Sequence, residues 1–255
     1  MSQALQRGLT ILEALGDRSV GVRELARRLD VDKGALSRTL SMLATEGWVV
    51  RDAAGYRLGP RTHALGAAAE SRGAIARATR IAHILSGLTG ASTFVMQLAG
   101  VRPLLVATTP GPAAPSPHGW EPPDAVWATA GGIALLAQLP PEAVEPLVAE
   151  DPWPRYGADS PADPATVRAL VDEVRAGAVA RESGWTHPAA GCLALPWPAL
   201  EPGVPSSLAL TGWSSLVADR APALEELLRR AVAPGATPDH LAGERLLPER
   251  PVAAR

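Results

Sequence analysis

The 255-residue chain has one cysteine, Cys192, and one lysine, Lys33, beside 23 arginines. A lone thiol excludes an intrachain disulfide and a cysteine-only metal site, and it fits a reducing compartment. No apolar run is long enough to span a bilayer. The amphipathic N-terminus, with Gln6 and Arg7 close behind Leu5, lacks the apolar block and small-residue cleavage site of a signal peptide, so the expected location is the cytoplasm. His63, His83, His118, His187 and His240 are scattered without metal-ligand spacing, and no glycine-rich phosphate loop occurs. No metal or cofactor is expected. The near-absence of lysine, beside abundant Ala and Pro, reads as coding bias from a GC-rich genome.

Charge is unevenly spread. Residues 1–80 hold 13 Lys and Arg against 8 Asp and Glu, while residues 81–255 hold 11 against 18. A basic front on an acidic remainder fits a nucleic-acid reader carried by a separate domain. Within that front, Leu36, Leu40 and Leu43 recur at helical spacing, and Lys33, Ser37, Arg38 and Ser41 gather away from them. Asp32 stands where an N-cap belongs and Gly47 where a left-handed C-terminal cap belongs. Leu5, Leu9, Leu12 and Leu15 space a first helix, closed at Gly16 with a turn at Asp17-Arg18. Val22–Leu29 reads as a short second helix with Leu25 and Leu29 inward. Three helices with a tight turn before the third form a helix-turn-helix, whose third helix enters the major groove.

Trp48–Arg51 and Tyr56–Leu58 flank a turn containing Asp52 and Gly55, which reads as a hairpin wing. The base readers expected on the helix are Lys33, Ser37, Arg38 and Ser41; Arg51 and Arg57 on the wing are expected to meet phosphate or the minor groove. Taken alone, Arg38 reads equally well as a solvated arginine. Pro60 to about Gly90 reads as one alanine-rich helix with Leu65, Ala68, Ile75, Ala82 and Leu85 on a rough stripe. It either pairs with its copy in a second subunit or packs within its own chain.

Farther along, Thr93–Leu98 and Arg102–Thr108 read as neighbouring strands joined at Gly100. A Pro-rich stretch, Pro110–Pro123, reads as a lid or a plain surface loop. Helices follow at Ala130–Leu139, Pro141–Ala149 and Pro164–Ala176, strands at Gly191–Pro196 and Ser206–Thr211, and a helix at Pro222–Ala233.

The front resembles the IclR family of bacterial transcription regulators. The likeness rests on Arg7–Leu12, Glu24-Leu25-Ala26, Arg38–Leu43 with Glu46-Gly47, and Tyr56–Gly59; Thr129–Ala137 and Cys192–Pro196 extend it into the second half. It implies a winged helix-turn-helix, mainly α with a β-hairpin wing, at residues 1–60. A linker and dimerisation helix at 61–90 then leads to an α+β GAF-like effector-binding domain at 91–233, with a Pro-rich tail at 234–255. Departures are Gly34-Ala35 where members often have Ser-Thr, Ile133 where a Lys often stands, and no Glu between Gly184 and Gly191.

The positions the resemblance marks for an effector are Met96, Thr129, Ala130, Gly131, Cys192, Ala194, Leu208 and, less directly, Leu210. For each apolar one taken singly, ordinary core is the leading reading and ligand contact the second. Gly131 and Gly132 either present N–H groups to a carboxylate or permit close packing. Arg102 and Arg181 are the nearest cations that could pair an anion. So few polar positions imply an apolar pocket for a small, apolar or weakly acidic metabolite. The leading expectation is a ligand-responsive DNA-binding regulator, a homodimer or dimer of dimers that binds operator DNA and a small effector and has no membrane partner. The alternative is a constitutive DNA binder with a degenerate pocket. Catalysis is disfavoured because Cys192 lies in an apolar run with nothing to lower its pKa.

Overall fold

Two bodies follow one another along the chain, the first mainly helical and the second a β-sheet between helices. The computed structural model describes residues 3–15, 18–70, 73–112, 114, 125–149, 152–237 and 241. Its two units are Met1–Arg72 and Gly73–Arg255.

In the first unit, α1 (Gln3–Leu15), α2 (Val22–Arg28) and α3 (Lys33–Thr45) are followed by β1 (Val49–Arg51), β2 (Tyr56–Leu58) and α4 (Pro60–Glu70). Ile11, Leu15, Leu25, Leu36, Leu40, Val49 and Tyr56 form its core. At roughly 2–5 kcal/mol per buried leucine truncated to alanine, this small cluster carries much of the unit's stability. The leucine stripe expected on α1 is corrected. Leu15 is buried, but Leu5 and Leu9 are 55% and 45% exposed, and Ile11 takes the inward position. The proposed closure at Gly16 and Asp17 lies outside the described residues. The turn into α3 passes through Asp30 at φ 50°, a left-handed conformation that a short polar side chain tolerates, and Gly47 at φ 76° ends that helix.

The stretch expected as one linker helix is two. α4 ends the first unit, and α5 (Ala74–Thr89) opens the second, burying Ala78, Ile81, Ala82 and Leu85. There follow β3 (Ser92–Ala99), β4 (Arg102–Thr109), α6 (Ala130–Leu136), α7 (Pro141–Val144), α8 (Pro164–Arg175), β5 (Ala180–Ser183), β6 (Ala190–Pro196), β7 (Ser206–Trp213) and α9 (Ser214–Val232). The five strands form one antiparallel sheet in the order β4-β3-β7-β6-β5. α6 and α8 share a core with one face, and α5 and α9 with the other. β5 is absent from the sequence reading. α9 starts ahead of Pro222 and runs through it, so that proline does not mark its first turn. Of Pro110–Pro123 only 110–112 and 114 are described. From residue 234 on, only 234–237 and 241 are, with Leu241 buried in the α5/α9 core.

Candidate functional site

The first candidate surface is the outer side of α3. Asp32 Oδ1 accepts the Ala35 N–H at 2.8 Å, fixing where the helix begins. Leu36 and Leu40 then point into the core at 1% and 0% exposure, which turns Lys33, Arg38 and Ser41 outward, with Ser37 half-buried beside them. These four side chains do share a face. Met42, 61% exposed, borders it. On α2, Arg23 and Arg27 lie one turn apart and are exposed. They were missed as candidates, although their i, i+4 spacing in a helix expected to cross the DNA backbone was available as a signal.

The wing pairs Arg51 with Tyr56 and Val50 with Arg57. Its turn is built on Asp52, whose Oδ1 accepts the Ala54 and Gly55 N–H groups at 2.8 and 3.0 Å and whose Oδ2 accepts the Ser19 hydroxyl at 2.6 Å. Chiefly the Ser19 bond, with help from these N–H groups and Arg57, holds the carboxyl below its ordinary range. Arg57 Nε lies 3.6 Å from that carboxylate, and the Arg51 guanidinium lies 5.9 Å from the Tyr56 ring centre. Both arginines are exposed. Val20 and Tyr56 exchange both backbone hydrogen bonds, clamping the wing to the segment ahead of α2.

The second candidate site is the sheet face under α6. Met96, Ala130, Cys192 and Ala194 belong to one buried cluster. A Cβ on Gly131 would meet Met96 Sδ at 2.7 Å and Ser207 Oγ at 3.6 Å. Thr129 caps α6 by accepting the Gly132 N–H at 3.0 Å. Leu208 and Leu210 are not brought to this group. They pack on the opposite face with α5 and α9, because alternation on β7 turns Ala209, not its neighbours, toward α6. Of the two glycines, Gly132 serves close packing, since a Cβ there would lie 1.5 Å from the Val126 carbonyl oxygen. Arg181 is exposed and paired with Glu225 on α9, and Arg102 is exposed on β4.

Glu182 is the principal residue the sequence reading missed. It stands opposite Cys192 in the β5/β6 register, and Cys192 stands opposite Thr211. The segment 184–191 has no glutamate, but β5 supplies a carboxylate at this row. Glu182 Oε2 accepts the Ala130 N–H at 2.6 Å. Burial pushes its carboxyl up to about 7, only partly offset by that N–H. Burial, reinforced by the Glu182 carboxylate, drives the Cys192 thiol far above its ordinary value despite a bond from Thr211. A thiol so strongly held neutral is the reverse of an activated nucleophile. The Ser207 Oγ is buried without a hydrogen-bond partner among the described residues. Trp127, in the same cluster, stacks on Trp153 at 4.1 Å. Among the described residues no group of His, Cys, Asp or Glu could hold a metal, and no helix is long and apolar enough to cross a membrane.

A helix-turn-helix with a hairpin wing, followed by an α+β body, is an architecture suited to binding DNA through its third helix. Residues 4–53 match the family model described as the IclR helix-turn-helix domain. A solved structure from Silicibacter sp. TM1040, assigned to the IclR transcriptional regulators, is 25% identical, with 94% of this chain and 96% of that one covered and a TM-score of 0.74. An IclR-type regulator from Alicyclobacillus acidocaldarius is 21% identical, over 95% of this chain and 100% of that one, at a TM-score of 0.77. An IclR homolog from Microbacterium hydrocarbonoxydans, solved with 4-hydroxybenzoate, is 22% identical, over 90% of this chain and 96% of that one, at a TM-score of 0.72. No curated protein matches the chain significantly. Residues 4–53 are thus an IclR-type helix-turn-helix, and the chain over nearly its whole length is similar in fold to solved IclR-type regulators.

Proposed function

We propose that the chain is a homodimeric, sequence-specific regulator whose second unit binds a small, apolar or weakly acidic metabolite without turning it over. The observation that carries the ligand reading is the row Glu182, Cys192 and Thr211 together with the Ser207 hydroxyl, four residues along β7 and without a partner among the described residues, on an otherwise apolar face under α6. Apolar walls with a few convergent polar groups are the usual composition of a small-molecule site. A carboxyl poised near pH 7 can donate a hydrogen bond to a ligand carboxylate when protonated, or accept one from a ligand hydroxyl when ionised. Met96, Thr129, Ala130, Gly131, Cys192 and Ala194 are the proposed surroundings, and Leu208 sits behind the sheet. For DNA, Lys33, Ser37, Arg38 and Ser41 are the proposed base readers, with Arg51 and Arg57 on phosphate. Dimerisation is supported by α4, where Arg61 and His63–Ala68 are all exposed and Leu65 is 63% exposed.

The test is a fluorescence titration of the full chain with benzoate and 4-hydroxybenzoate, chosen because the Microbacterium homolog holds the latter. Trp127 lies in the same cluster as Met96 and Cys192, so occupancy should quench or shift its emission, with the response lost in Ser207→Val and Glu182→Leu. A saturable change that both variants leave intact would remove the ligand from this face. Silence toward a wide set of organic acids, with operator binding intact, would favour the constitutive binder.

A further inference from the structure

The recognition helix and α4 meet at one joint. The Gly59 N–H donates to the Trp48 carbonyl at 2.8 Å and the Arg61 N–H to the Gly47 carbonyl at 3.2 Å. A Cβ on Gly59 would lie 2.4 Å from the Gly47 carbonyl oxygen, so the two stretches touch backbone to backbone. Arg61 then closes over this contact. Its Nη1 donates to Glu46 Oε2 at 3.0 Å and to the Glu46 carbonyl at 3.3 Å, and its guanidinium lies 5.0 Å from the centre of the Trp48 ring. Glu46 is the C-cap of α3, and Arg61 is in the first turn of α4. Beyond this joint, His63–Ala68 of α4 are exposed.

We propose that Arg61 is a positioning residue for operator recognition: it locks α4 to the end of the recognition helix so that both turn as one body, and so sets the half-site spacing the dimer accepts. The inference rests on the dimeric DNA-binding reading above. α4 is about 16 Å long, so a swing of about 10° at the joint displaces its far end by about 3 Å, close to one base-pair step. A joint loosened by that much blurs the spacing by one step. The backbone bonds at Gly59 and Arg61 survive any side-chain change at 61, which leaves the fold in place and the angle less constrained. Arg61 has no need to touch DNA for this.

The experiment is selection from duplexes with a random central tract, using the full chain as wild type, Arg61→Ala, Arg61→Lys and Glu46→Gln, each checked for folding by circular dichroism. Wild type is expected to enrich two copies of one half-site at a single spacing. Arg61→Ala is expected to enrich the same half-site, with the preference for that spacing over spacings one base pair longer or shorter reduced about three- to tenfold, the scale of an exposed ion pair plus a cation–π contact. Glu46→Gln should shift the preference in the same direction by less, and Arg61→Lys should stay nearest wild type. An unchanged spacing preference in folded Arg61→Ala, or a uniform loss of affinity at every spacing, overturns the proposal while leaving the regulator reading intact. If Arg61→Ala proves unfolded, Glu46→Gln decides on the same criterion. A wild-type protein that enriches no paired half-sites overturns the dimeric reading itself.

Discussion

The carboxylate oxygen of Glu182 lies 2.6 Å from the backbone nitrogen of Ala130, inside the buried face of the second unit. A single N–H bond does not repay the burial of a full charge, so the folded chain favours the protonated form and the group titrates near 7. Between the ordinary carboxylate value and about 7, the folded state holds a proton that the unfolded state has released. Stability from this group is therefore full at acid pH and falls as pH rises through about 7. The effect is at most about 3 kcal/mol. Urea unfolding of the second unit from about pH 5 to about pH 8 should show the midpoint falling, and Glu182→Gln should flatten the profile and be the more stable protein at the alkaline end. Parallel profiles for the two proteins would place the titration elsewhere.

Adjacent glycines at the start of α6 should behave differently. A methyl on Gly132 would overlap the Val126 carbonyl, a backbone atom with nowhere to go, whereas one on Gly131 meets the flexible end of Met96. Gly132→Ala is expected to destabilise the second unit by about 3 kcal/mol or more, and Gly131→Ala by about 1 kcal/mol. Gly131→Ala should nonetheless abolish the proposed benzoate response, because its methyl displaces the Met96 side chain on the proposed ligand face, next to Ser207. Thermal melting gives the first comparison and the titration the second. Equal melting temperatures would contradict the packing argument.

What the sequence discloses here depends on whether the determinant is local. The α3 cap at Asp32, the Leu36 and Leu40 stripe and the glycine after the helix all act within a few residues, so the recognition helix and the outward set Lys33, Ser37, Arg38 and Ser41 are legible from spacing alone. The proposed effector face is not. β7 is apolar or small on both faces, so nothing in Leu208-Ala209-Leu210 says which residue faces α6, and the choice falls to register with β3 and β6. β5 is four residues long and includes Arg and Glu, which are poor strand signals, so the partner that sets Glu182 opposite Cys192 is invisible until the sheet is built. On α1 the leucine stripe is wider than the neighbours able to cover it, which leaves Leu5 and Leu9 outside.

Arg38 and Arg57 should separate base reading from phosphate contact. Arg38 is on the outward face of α3, and Arg57 is exposed on the wing beside Asp52. On a selected operator, Arg38→Ala is expected to cost about 1–3 kcal/mol and to relax preference at one base position. Arg57→Gln should weaken binding about equally on operator and unrelated duplex, and reduce the salt slope by about one unit. Titrations on both duplexes over a salt series measure each effect. A variant of Arg57 that changes base preference, or of Arg38 that does not, would reverse the assignment.

The exposed face of α4 supplies the last test. Leu65 is 63% exposed in the single chain and stands on the same face as Ala68, whose small side chain lets a second helix approach closely. An isolated helix of this length is marginal in water, and α4 gains little by burial within its own unit, so a partner helix is the natural source of its stability. Leu65→Glu places a charge on that face at almost no cost to a monomer, where the side chain already meets solvent. In a dimer built on α4 the same carboxylate would be buried against its own copy, and the two like charges would repel. Sedimentation velocity is expected to show the wild type as a dimer or larger, and Leu65→Glu shifted at least tenfold toward monomer at equal concentration, with the first unit still folded. Operator affinity should fall with it, because paired half-sites are read only by paired heads. A Leu65→Glu protein that sediments as wild type would move the dimer contact off α4, and the exposed Leu5 and Leu9 of α1 would be the next face to charge.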